Sequence, residues 1–75
     1  MNERSKKIVD KFSLTTSIGP GPADGCPFKA TVTGVCFDGV TRPVEATANT
    51  EEEAMDNAVS YWYSQMAKPV DGIDN

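Results

Sequence analysis

The stretch Thr50–Met66, TEEEAMDNAVSYWYSQM, constrains the fold of this chain more than any other. Ala54, Met55, Ala58, Val59, Trp62 and Met66 recur at helical spacing, which predicts an amphipathic α-helix with Trp62 near the centre of its apolar stripe. Thr50 suits the N-cap: its hydroxyl can accept from a free first-turn N–H while Glu53 reaches back, the reciprocal capping box. Glu51, Glu52 and Glu53 also suit the positive end of the helix dipole. A helix with one apolar stripe must bury it against a second layer, and 75 residues leave room for one sheet and one or two helices. Pro69 and Gly72 end the helix, and residues 68–75 read as an acidic tail expected to be disordered.

The second layer is legible in Phe28–Ala48, where FKATVTGVCF and VTRPVEATA flank Asp38-Gly39. An Asp-Gly pair between two strand-like runs signals a hairpin, because a type I′ turn needs positive φ at both central residues. A two-residue loop pairs Phe37 with Val40, Val35 with Arg42 and Thr33 with Val44. That register puts Val35, Phe37, Val40, Val44, Ala46 and Ala48 on one face. Phe28, Ala30 and Val32 then point the other way unless an extra residue shifts the phase, and Gly34 is the expected site of such a bulge. Pro43 lacks a donor, so its strand is expected to be a sheet edge there or to be bulged as well.

Two readings stand for the N-terminal third. Phe12, Leu14, Thr16 and Ile18 alternate within Ile8–Ile18, as in a half-buried first strand; Ile8, Val9 and Phe12 equally satisfy a short helix over Asn2–Phe12. GPGPADGCP, Gly19–Pro27, is a loop, since Gly-Pro steps and Asp-Gly break ladders and helices alike. The fold class is therefore α+β: a three-stranded antiparallel sheet packed on one C-terminal helix, with α-β-β-β-α as the alternative order. Residues 1–67 form a single domain, of which 1–7 can be a flexible basic arm.

Charge narrows the function classes. The formal net charge is −4 and the pI about 4.5, which opposes sequence-independent binding to phosphate backbones and favours protein partners. The distribution is lopsided, with Arg4, Lys6, Lys7 and Lys11 near the start and an acidic remainder. Those four cations are the candidate nucleic-acid contacts, a disfavoured alternative. No apolar run is long enough to span a membrane, and charges interrupt the N-terminal segment where a signal peptide needs an apolar one, so a cytoplasmic protein is expected. The chain has no histidine, and Cys26 and Cys36 have no second cysteine pair, so neither a metal site nor a cofactor is expected. Reduced thiols are the simpler expectation, with a disulfide left open. Without a general base, a phosphate loop or an activated nucleophile, no catalytic residue is assigned and an enzyme is not expected.

A hairpin, a short link and a helix with Thr50, Ala54 and Ala58 at its small positions resemble the C-terminal half of a double-stranded RNA-binding domain. The resemblance covers about Gly21–Met66. In that family lysines at the start of the last helix grip RNA phosphates across the major groove. This chain carries Glu51, Glu52 and Glu53 there, which would repel a phosphodiester. Its size, acidity and layout more loosely resemble small phage-encoded anti-defence proteins, anti-CRISPR proteins among them. That likeness implies an inhibitor presenting carboxylates where phosphates would lie. The candidate partner-binding residues are Glu51, Glu52, Asp56, Glu45 and Asp38, joined by Tyr61 and Tyr63 as aromatic contacts of the kind enriched at interfaces. Homodimerisation stays open, since a domain this small commonly needs a staple or a partner.

Overall fold

A computed structural model describes residues 1–68, 70, 72 and 73. The element order is helix α1 (Glu3–Phe12), strands β1 (Thr15–Pro20), β2 (Phe28–Val35) and β3 (Thr41–Ala48), and helix α2 (Glu51–Met66). The strands form one antiparallel sheet in the order β1-β2-β3. This is the expected α+β arrangement, with the short N-terminal helix present.

Of the two readings for the N-terminal third, the helix holds up to Phe12 and the strand begins only at Thr15. The Asn2 side chain accepts from Ser5 N at 2.8 Å and so caps the first turn. Ser13 ends the helix in the left-handed region, at φ 53° and ψ 48°, and Leu14 N donates back to Val9 O at 3.1 Å. The alternation read from Ile8 to Ile18 therefore spanned a helix, a sharp turn and a strand. Of residues 1–7, which can be a flexible basic arm, Glu3–Lys7 make the first turns of α1.

The hairpin is present, but its register differs from the expected one by one residue. Val35 faces Thr41, Thr33 faces Pro43, Val32 faces Val44 and Ala30 faces Ala46. The slip removes the conflict a two-residue loop would create. Ala30, Val32 and Gly34 now share the helix-facing side with Val44, Ala46 and Ala48, while Val35 turns to the other face and Phe37 and Val40 lie exposed in the loop. No bulge is needed, and Gly34 pairs with Arg42 in an unbroken ladder. Its lack of a side chain has another cause: a Cβ there would collide with Leu14 and stand 2.9 Å from Trp62 Cζ2. Pro43 lies on β3, an edge strand, as its missing donor requires.

α2 covers the sheet with the predicted stripe. Ala54, Met55, Ala58, Val59 and Trp62 are buried, together with Tyr63, and Trp62 is fully enclosed. Phe12 of α1 packs edge-on to the Trp62 ring at 5.2 Å and tilted against Tyr63 at 5.9 Å, and Ile8 closes the same cluster. The forward half of the capping box is made, with Glu53 N donating to the Thr50 hydroxyl at 3.1 Å. Val70 and Ile73, from the segment expected to be disordered, pack on the core, and Tyr63 Oη accepts from Val70 N at 3.3 Å. Pro69, Asp71, Asp74 and Asn75 lie outside the described residues.

Candidate functional site

The hairpin end is built from a short loop held at both sides. Cys36 N donates to Val40 O and Gly39 N to Cys36 O, each at 2.9 Å, with Gly39 taking a φ of +82° that favours glycine. The Asp38 carboxylate accepts from Val40 N at 3.1 Å and pairs with Arg42 Nη1 at 2.7 Å. The Arg42 hydrogen bond, seconded by the Val40 N–H, holds the Asp38 carboxyl below the usual aspartate range. Phe37 N donates to Met66 O at 2.9 Å, so the loop also closes the C-terminal end of α2. Cys36 points inward and is buried. Its neighbours do the opposite: Val35 is 57%, Phe37 70% and Val40 48% exposed. A backbone fixed by four hydrogen bonds therefore holds three apolar side chains in water.

The candidate acids do not form one surface. Glu51, Glu52 and Glu53 are exposed at the start of α2. The sixteen residues of α2 separate that start from the hairpin end by about 24 Å at 1.5 Å per residue. Asp38 therefore sits at the other end of the helix and is engaged with Arg42. Glu45 lies on the sheet face away from α2, paired with Lys29 Nζ at 3.2 Å and accepting weakly from Thr31 Oγ1 at 3.5 Å. Asp56 accepts from Asn2 N at 3.0 Å, and Glu52 lies 3.5 Å from the Met1 ammonium. Glu51 and Glu53 make no ion pair with a described residue. Tyr61 is exposed. Tyr63 is not: it is buried, bonded to Val70, and covered by Arg4 at 5.4 Å from its ring centre, which corrects its expected place at an interface.

The four candidate cations are likewise divided. Arg4 turns inward, donating to Ser60 Oγ at 3.0 Å while stacking on Tyr63. Lys6 lies 3.9 Å from Glu3. Lys7 and Lys11, one helical turn apart, border an open depression of about 380 Å³ with Asp10, Gly72 and Ile73. The sheet face away from α2 carries Thr15, Ser17, Lys29, Thr31, Thr33, Val35, Thr41, Pro43, Glu45 and Thr47. None of the described strand residues of that face is an aromatic on which a base could stack, and Phe37 lies beyond it in the loop.

Among the described residues no group of three or more acidic or sulfur ligands could hold a metal ion, and both cysteines are free thiols. No helix of the described residues is long and apolar enough to cross a membrane. Comparison with protein-family profiles, curated proteins and solved structures gives no match.

The exposed trio Val35, Phe37 and Val40 was missed by sequence reasoning, which assigned it to the core face. A signal was present: Ala30, Val32, Gly34 and Cys36 alternate as an inward set of small or apolar residues, which leaves Val35 and Phe37 on the outward set.

Proposed function

We propose that this protein is a non-catalytic module that binds another protein, with the β2–β3 hairpin end as its contact. The observation that carries this reading is the exposure of Phe37 between Val35 and Val40 on a hydrogen-bonded loop. Exposed apolar side chains on a loop that also carries the Asp38–Arg42 pair offer both the apolar and the polar contacts of an interface, and the hydrogen-bonded backbone lowers the entropy lost on docking. Glu51 and Glu52, at the far end of α2, would steer a basic partner rather than anchor it. An inhibitor of a nucleoprotein complex, with these two acids standing in for phosphates, is the narrower form of the proposal.

Phe37→Ser changes a side chain that stands mostly in water, so the fold is expected to persist. Capture of a partner by the unmodified protein, followed by titration with this variant, should show affinity lowered by about tenfold or more, as for a central aromatic contact. Equal affinity would reject the hairpin as the contact. Glu51→Gln with Glu52→Gln should instead slow association at low salt.

A second reading, nucleic-acid binding through α1, is favoured by the shared face of Lys7 and Lys11, neither ion-paired to a described residue. It requires retention of duplex or single-stranded nucleic acid in a gel at low salt, lost in Lys7→Gln/Lys11→Gln.

A further inference from the structure

The two edges of the sheet are not alike. β3 carries Arg42, Pro43 and Glu45, and these charged side chains and the proline are the devices that keep an edge from pairing with another chain. β1, TTSIGP, has no charged residue at all, and its proline comes only at the last position. Along an outer antiparallel strand every second residue leaves its N–H and C=O without a strand partner, and among the described residues no strand lies beyond β1. Ile18 points to the helix side of this edge and is still 38% exposed, because α2 lies mainly over β2 and β3.

From these observations we infer that β1 is a self-association edge, pairing antiparallel with β1 of a second copy to give a six-stranded sheet. Three features select a second copy as the occupant. The strand is uncharged, so its twin meets no like charge there, although the protein as a whole carries −4. A two-fold axis across antiparallel strands keeps even residues opposite even residues, so exposed Ile18 meets Ile18 or Thr16 of the twin in either central register. The domain is also of the size that commonly needs a staple, and both its cysteines are free. A six-residue edge makes an interface below the roughly 1,200 Å² of stable complexes, so the association is weak and reversible.

Sedimentation of the full chain from about 10 μM to about 1 mM should show its mass rising from 8.1 kDa toward twice that value. Backbone amides of β1 should gain exchange protection over the same range. Ile18→Lys and, independently, Ser17→Lys bring like charges together across the axis and should weaken association at least about tenfold. Phe37→Ser should leave it unchanged, which separates this edge from the hairpin contact. A monomer at every concentration overturns the inference, as do dimers that survive both lysine variants or vanish with Phe37→Ser. Protection of β1 amides only in a complex with a different protein also overturns it, since the edge would then serve a foreign strand.

Discussion

Gly34→Ala is the substitution whose outcome most directly tests the packing at the centre of this fold. Alanine normally improves a strand position, because glycine loses more backbone freedom on folding, by about 0.5–1 kcal/mol. At position 34 the added methyl would enter the space of Leu14 Cδ2 and lie 2.9 Å from Trp62 Cζ2 and 3.2 Å from Trp62 Cε2. Trp62 is fully buried and held by Phe12 at 5.2 Å, so the indole cannot swing away cheaply. Overpacking of this kind costs about 1–3 kcal/mol, which outweighs the backbone gain and leaves a net loss of about 0.5–2 kcal/mol. For a domain of this size a loss of that order lowers the melting temperature by about 2–16 °C. Gly19→Ala supplies the internal control, since a Cβ there meets nothing within 4 Å. It should be neutral or stabilising. Thermal and urea unfolding of both variants, with Leu14→Ala added to Gly34→Ala to relieve the nearer clash, would complete the test. A stable Gly34→Ala, or loss of the same size at Gly19, would refute this account of the core.

Two further predictions concern single polar groups. Ser5 is fully buried in α1, and its hydroxyl finds no hydrogen-bond partner among the described residues, whereas its backbone N–H is held by Asn2. Ser5→Ala should raise stability by about 0.5–2 kcal/mol through relief of desolvation and better helix propensity, and a loss in urea unfolding would show that the hydroxyl is satisfied. The Asp38 carboxyl should titrate below the ordinary aspartate range in a carboxyl-detected NMR titration and move up in Arg42→Gln. Because its folded value is depressed, its stabilising effect is present above the unfolded pKa and fades as pH falls through the folded value. An unchanged midpoint in the variant would rule out Arg42 as the cause.

The legible parts of this fold were those set by local chemistry. α2 follows from Thr50 and the spacing of Ala54, Ala58 and Trp62, and the hairpin from Asp38-Gly39 between two apolar runs. Its register was not local. The Asp-Gly pair is compatible with both the two-residue loop and the longer Cys36–Val40 loop. The choice falls to the need of Ala30 and Val32 to share a face with Val44 and Ala48. The α1–β1 boundary depended on Ser13 adopting a left-handed conformation that nothing in the Ser13-Leu14 pair announces. Tyr61 and Tyr63 flank the same stripe in sequence, and only the packing of α1, through Phe12 and Arg4, buries one and leaves the other in water. The candidate acids were grouped by charge, which carries no information on the 24 Å or so that α2 interposes between Asp38 and Glu51.

The hydrogen bond from Phe37 N to Met66 O closes a stretch that is continuous in the chain. Most of the core, Ala30 through Tyr63, comes from Phe28–Met66; Ile8 and Leu14 come from before it, and Ile73 from after. Short sequence separation favours rapid nucleation, so this stretch is the natural first unit to form, with α1 and β1 docking onto it afterwards. During synthesis the order is reversed. α1 and β1 leave the ribosome before that stretch, with Ile8, Phe12 and Leu14 exposed, and must wait for α2 before Trp62 arrives to receive them.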